Sequence, residues 1–204
     1  MQGNVTREQA ALQLARERGV VRPRDLQEYG ITRQHLRRLT ERGLLVRTGR
    51  GLYLASDASL TEHHALVEAT RRVPQGVVCL LSALRFHDLT TQEPHEVWLA
   101  LPLRAHQPTV DYPPVQTVRM SEATLNAGVE SHQVEGVPVR VFSVAKTVAD
   151  CFKYRSTVGQ DVALEALREG WRERRFTMDD LWRFARMCRV ANVMRPYIES
   201  VVAS

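Results

Sequence analysis

Six polar side chains near the start of the chain have the types and spacing needed to hold a polyanion. Arg33, Gln34, Arg37 and Arg38 fall in one short helical stretch, and Arg47 and Arg50 follow it around Gly49-Arg50-Gly51. A guanidinium is a planar fork that meets two acceptors at once, on a phosphate or along the O6/N7 edge of guanine, and glutamine can pair likewise with adenine. At about 100° per residue, Gln34, Arg37, Arg38 and Glu41 share one arc, while Leu36, Leu39 and Gly43 fall on the opposite side. The pattern predicts a DNA-facing helix, with Gln34, Arg37 and Arg38 at base edges, Arg33 beside them, and Arg47 and Arg50 on phosphate.

The elements that must position these residues are legible around them. Thr6 caps a first helix through about Arg18, stopped by Gly19; Pro23 opens a short second helix, Arg24 to Tyr29, ended by Gly30. Thr32 is the N-cap of the third helix, which runs to Arg42 with Gly43 as its stop. Two apolar runs, Leu44 to Val46 and Leu52 to Leu54, flank the glycine turn and read as a hairpin. This is the outline of a winged helix-turn-helix over residues 1–55, a unit that places a helix in the major groove with a hairpin on the adjoining backbone. Charge agrees: residues 1–55 hold 11 Arg against five acidic residues, a net of +6, within a whole-chain charge of +5. A local arginine excess is the footprint of phosphate contact.

A polar join at 55–60 leads to a second domain, 60–204. Thr61 to Arg72 reads as a helix; Val77 to Phe86 is strand or buried helix, with Ser82-Ala83-Leu84 favouring helix. Glu96 to Leu101, Val115 to Met120 and Val137 to Phe142 read as strands of a small sheet, about residues 96–142. Four helices follow over about 143–202: Val144 to Tyr154, Gln160 to Arg174, Met178 to Cys188 and Val193 to Val202. The fold class expected is α+β, a winged helix-turn-helix followed by a mixed domain with a helical C-terminal part. No stretch approaches 18 uninterrupted apolar residues and Met1-Gln2-Gly3-Asn4 has no apolar signal segment, so a cytoplasmic location and no membrane partner are expected. Cys79, Cys151 and Cys188 are odd in number and far apart, which points to core thiols rather than disulfides or a zinc site.

Other residues suggest chemistry less strongly. His63-His64 and His87-Asp88 lack further ligands at a recognisable spacing, and Asp179-Asp180 sit where a helix dipole would favour them. No phosphate-cradling glycine loop or nucleophile elbow is present, so no catalytic residues, metal or cofactor are expected, and the protein is expected not to be an enzyme. On the helix from Val144, Lys146, Asp150, Lys153 and Tyr154 recur at spacings of four, three and one and can share a polar face, with Asp150 in reach of either lysine. These are the chain's only two lysines. That face is either functional or an ordinary solvated surface with an intrahelical ion pair.

Two stretches carry a family resemblance: Leu80-Leu81-Ser82-Ala83-Leu84 with His87-Asp88-Leu89-Thr90, and Ala145-Lys146-Thr147-Val148-Ala149-Asp150-Cys151-Phe152-Lys153-Tyr154-Arg155 leading to Val158-Gly159-Gln160-Asp161-Val162-Ala163-Leu164-Glu165-Ala166-Leu167. With the winged helix, from about Val5 to Val202, the chain resembles the AbiEi antitoxins of bacterial abortive-infection (AbiE) systems, usually classed as type IV toxin-antitoxin systems. The resemblance implies an antitoxin that protects against phage, binds inverted repeats of double-stranded operator DNA in its own promoter, and autoregulates as a transcription repressor. It also implies that the C-terminal domain counters a nucleotidyltransferase-like toxin, with Lys146, Asp150, Lys153 and Tyr154 as the antitoxin face; whether the two proteins form a direct complex stays open. A stand-alone winged-helix regulator with a ligand-sensing or dimerising C-terminal domain is the alternative, and a DNA-targeted enzyme the third reading.

Overall fold

The computed structural model describes residues 6–203; Met1 to Val5, where the absence of a signal segment was read, and Ser204 lie outside the described residues. The chain forms two compact units.

The first unit comprises the chain up to Arg72 together with His132–Val139. Helix α1, Arg7–Arg18, starts at a reciprocal cap: the Gln9 N–H donates to Thr6 Oγ1 (3.2 Å) and the Thr6 N–H to Gln9 Oε1 (2.9 Å). The expected short second helix is a 3-10 helix, Pro23–Tyr29, its start tied by the Arg22 N–H to Asp25 (3.1 Å) and its end by Gly30 in the left-handed region. Seven residues, starting at the proline and stopped by the glycine, leave little length over which an α-helix could gain from its cooperativity. Helix α2, Arg33–Glu41, begins at Thr32 as expected, and strands β1, Leu45–Gly49, and β2, Leu52–Ala55, form an antiparallel hairpin. Val21 adds a bridge to Tyr53.

Leu26, Ile31, Leu36, Leu39 and Leu45 interlock with Ala11 and Ala15 in this unit's core. Each such side chain contributes about 1.5–3 kcal/mol by leaving water, so Leu36 and Leu39 are what fix the roll of α2 and hence which of its faces stays outside.

The first unit runs past the expected join at 55–60. It includes helix α3, His64–Arg72, which starts later than the expected Thr61, and the tip of a later hairpin. At that tip Glu135 and Gly136 both have positive φ (51° and 73°), the conformation of a two-residue turn matched to strand twist. The Glu135 carboxylate accepts from the Thr61 N–H (2.7 Å) and hydroxyl (2.9 Å), and lies 2.7 Å from His64 Nδ1. His64 Nε2 is in turn 3.7 Å from buried Glu68. These long-range ties have no local sequence signature.

The second unit is Val73–Ser131 with Arg140 onward. From Val77 onward the elements are β3 (Val77–Val78), α4 (Leu80–Phe86), β4 (Val97–Pro102), β5 (Val115–Met120), α5 (Glu122–Asn126), β6 (Val129–Val134), β7 (Val137–Phe142), α6 (Val144–Lys153), α7 (Arg155–Val158), α8 (Gln160–Arg172), α9 (Met178–Met187) and α10 (Ala191–Val202), the adjoining ends of β6 and β7 being the hairpin tip counted with the first unit. The strand order is β5-β4-β3-β7-β6, with β4 parallel to β5, β3 antiparallel to β4, and β3 parallel to β7. Strand β4 is apolar and buried from Val97 to Leu101 without alternation, as an interior strand covered on both faces must be. The ambiguous run from Val77 resolves into a two-residue strand and a buried helix. Strand β6, which the sequence reading left out, alternates polar Glu130, His132 and Gln133 with few apolar residues, because it is the last strand at one side of the sheet. The fold class is α+β.

Helix α6 packs against α4, α8 and α9, and every residue from Val144 to Phe152 is buried. A helix apolar around most of its circumference is a core helix, and Val144, Ala145, Val148, Ala149, Cys151 and Phe152 leave no wide polar arc. No helix is long and apolar enough to cross a membrane among the described residues.

Candidate nucleic-acid interface

Helix α2 puts Arg33, Gln34, Arg37 and Arg38 in solvent while Leu36 and Leu39 are buried. Arg33, Gln34 and Arg38 have no side-chain partner among the described residues. Arg37 Nε donates to Glu41 Oε1 (2.7 Å) one turn on, an exposed pair whose net contribution to stability is small and which leaves Arg37 easily redirected. Arg42 is drawn back to Glu8 (2.6 Å) and so belongs to the scaffold rather than the outward arc.

The hairpin supplies two further cations. Arg47 is exposed and its Nε donates to the Gly49 carbonyl (3.1 Å), bracing the turn, and Arg50 projects at the tip without a side-chain partner among the described residues. At Gly49 the absence of a side chain lets the Arg72 guanidinium rest against the hairpin backbone, since a Cβ there would lie 2.0 Å from Arg72 Nη2. The six expected DNA-contacting residues thus form an exposed helix face and a hairpin tip on one unit.

The base of this unit is pinned by a partly buried network. The Arg22 guanidinium donates to the Asp25 carboxylate (3.0 Å) and to the Arg71 carbonyl (2.8 Å), and Arg71 Nη1 lies 3.5 Å from Asp25. Burial favours the neutral acid, but the Arg22 hydrogen bonds and the charges of Arg22 and Arg71 together hold Asp25 below the usual carboxylate range.

The first turn of α2 contains a residue that the sequence reading passed over. His35 Nδ1 accepts from the Thr32 backbone N–H (3.0 Å), and Thr32 Oγ1 is also 3.0 Å away. It occupies the place that Glu or Gln takes in a capping box. The motif Thr32-x-x-His35 was the available signal, obscured because histidine is an uncommon choice there.

Lys146, Asp150, Lys153 and Tyr154 do not form the shared polar face expected of them. Lys146 and Asp150 are paired, but both side chains are fully buried, Lys146 Nζ also lying 4.2 Å from the centre of the Phe142 ring. Asp150 Oδ1 accepts from Cys188 Sγ (3.2 Å). Only Lys153 is exposed; Tyr154 is half-buried, its hydroxyl donating to the Arg119 carbonyl (3.4 Å). Burial, and next the Asp150 charge, push the Tyr154 phenol up to about 12 and the Cys188 thiol up to about 12, and raise Cys79 and Cys151 as well. These thiols are therefore protonated and unreactive at neutral pH.

The other candidates have local explanations. His87 Nε2 is 2.7 Å from the Phe142 carbonyl in the second core, and Asp180 joins the cap of α9, its N–H donating to Thr177 Oγ1 (3.1 Å). Among the described residues no three His, Cys, Asp or Glu side chains gather as a metal site.

Residues 9–55, from the first helix through the hairpin, match the family model described as "Transcriptional regulator, AbiEi antitoxin". That match bears out the resemblance over the winged-helix segment. No curated protein matches the chain. The fold is similar to the crystal structure of the RV2827C protein from Mycobacterium tuberculosis, with a TM-score of 0.59 at 15% identity, covering 98% of this chain and 82% of that one.

Proposed function

We propose that this protein is the antitoxin and autorepressor of an AbiE-like system, binding operator DNA through α2 and the β1–β2 hairpin. One observation carries the reading: a capped helix whose Leu36 and Leu39 are locked in the core holds Arg33, Gln34, Arg37 and Arg38 outward, only Arg37 having a side-chain partner (Glu41) among the described residues, beside a glycine-tipped hairpin bearing Arg47 and Arg50. The match of residues 9–55 to AbiEi regulators supports it. Arg37, Arg38 and Gln34 read base edges, Arg33 supports them, and Arg47 and Arg50 grip phosphate. One such unit spans too few base pairs for operator-level specificity, so two copies occupy an inverted repeat with half-sites a whole number of helical turns apart.

The C-terminal unit opposes a nucleotidyltransferase-like toxin encoded nearby. In it Lys146 and Asp150 act from inside, fixing α6, and of the residues expected on the antitoxin face Lys153 and the edge of Tyr154 are those available to a partner. The experiment is footprinting of the full-length protein on the DNA upstream of its own reading frame, combined with toxin co-expression. Protection of two symmetric half-sites and rescue of growth are expected. A single asymmetric half-site, or no protection at all, refutes the repressor reading, and failure to rescue against the adjacent gene product refutes the antitoxin reading.

A further inference from the structure

His35 is held in one tautomer by the cap it makes. The Thr32 backbone N–H can only donate, so Nδ1, 3.0 Å away, must present its lone pair. A neutral imidazole with an unprotonated Nδ1 carries its hydrogen on Nε2. That nitrogen has no partner among the described residues, and it is not one of the sealed, unpaired polar atoms of the structure, so it faces solvent from a half-buried ring. The ring sits in the first turn of α2, the part of a recognition helix that reaches base edges, next to the arc of Gln34 and Arg38.

We infer that His35 is a specificity-determining residue whose Nε2–H donates to a single acceptor on the major-groove edge of DNA: N7 of a purine, O6 of guanine or O4 of thymine. The inference rests on the DNA-binding reading above. Cytosine shows only its N4 amino donor in that groove, and so two donors would face each other; cytosine is excluded at the contacted position. Unlike the arginines, whose flexible side chains find phosphate or base alike, the imidazole is clamped by its own backbone and offers one hydrogen from a fixed place. The cap therefore links the shape of the helix start to the polarity of what it reads.

The test uses the full chain and a pool of duplexes with randomised sequence, from which binding sites are selected and sequenced. His35→Gln keeps the cap, with its side-chain oxygen accepting from Thr32, and keeps an N–H donor; it retains the preference at reduced strength. His35→Glu also keeps the cap, which circular dichroism checks, but replaces the donor by an acceptor. It shifts the preference at one position of each half-site toward cytosine, with the wild-type site bound about tenfold more weakly. In parallel, the 15N shifts of the wild-type His35 ring identify the protonated nitrogen as Nε2. If the glutamate variant selects the same base at every position, or the ring proves protonated on Nδ1, the inference is overturned. If the wild type enriches no sequence, the DNA-binding reading itself fails, an outcome separate from an unchanged preference.

Discussion

The pair Lys146–Asp150 permits a sharp energetic test, because both charges are sealed from water on one turn of α6. Replacing Lys146 by Met removes the cation while keeping most of the side chain's bulk. The Asp150 carboxylate is then left with the Cys188 thiol, a weak donor at 3.2 Å. Breaking a buried pair from one side costs about 3–5 kcal/mol, a large share of the 5–15 kcal/mol typical of a folded domain. Asp150→Leu should cost a similar amount by stranding the ammonium, with only the Phe142 ring to soften the loss. The double variant K146M/D150L strands no charge, and it should be more stable than either single variant. Trp98, Trp171 and Trp182 are the chain's three tryptophans and all lie in the second unit, so urea unfolding followed by tryptophan fluorescence reports on the right core. Single-variant losses under about 1 kcal/mol, or a double variant whose loss equals the sum of the singles, would refute the claim that the two charges depend on each other.

Arg37→Ala should weaken operator binding by about 1–3 kcal/mol and relax sequence preference, whereas Arg50→Ala should weaken binding to all sequences evenly and lower the salt slope by about one unit; titrations at several salt concentrations separate the two, and wild-type affinity in both variants contradicts the assignment. Asp25 is held below its ordinary range, so its contribution to stability is present above that range and lost as the pH falls through its folded value, below about pH 4; thermal melts should show Asp25→Asn less stable than wild type at pH 7, with the gap closing in acid. Gly19→Ala should destabilise the first unit far more than Gly43→Ala, since a Cβ at Gly19 meets the Glu135 carbonyl oxygen at 1.9 Å and one at Gly43 meets nothing within 4 Å; the latter should cost only the left-handed backbone penalty of about 1–2 kcal/mol by chemical denaturation. In the toxin rescue assay, Lys153→Ala and Tyr154→Phe should reduce protection with the fold intact, while alanine at Lys146 or Asp150 should destabilise the second unit, which thermal melts followed by circular dichroism resolve.

Much of the first unit could be read from the chain because its determinants are local. Thr6, Gly30, Thr32 and Gly43 mark element ends within a few residues of where they act, and Leu36 and Leu39 fix the roll of α2 by spacing alone. The distant parts were not legible. Glu135 anchors Thr61 and His64 from more than seventy positions away, and nothing in the sequence near the 55–60 segment announces that contact. The pairing of Lys146 with Asp150 followed from their i,i+4 spacing, but their burial did not. Two charged residues on a helix suggest a wet face, but the apolar residues on every other side of α6 are the stronger signal. His35 was missed because a histidine cap differs from the usual glutamate, although its spacing from Thr32 is the same.

The first unit is not contiguous: its last segment, His132–Val139, lies beyond β3, α4, β4, β5 and α5 of the other unit. A ribosome releases the chain from its N-terminus, and contiguous domains close as they emerge. This one cannot. Thr61 and His64 wait for Glu135, and Gly19 for the carbonyl it packs beneath, until well past the midpoint of synthesis. A nascent or prematurely terminated chain that ends before residue 132 carries α2 and its arginines on a unit without its final support. Completion of the first unit is thus timed by translation, and the molecules in which it is fully assembled are those whose synthesis has already produced much of the second unit.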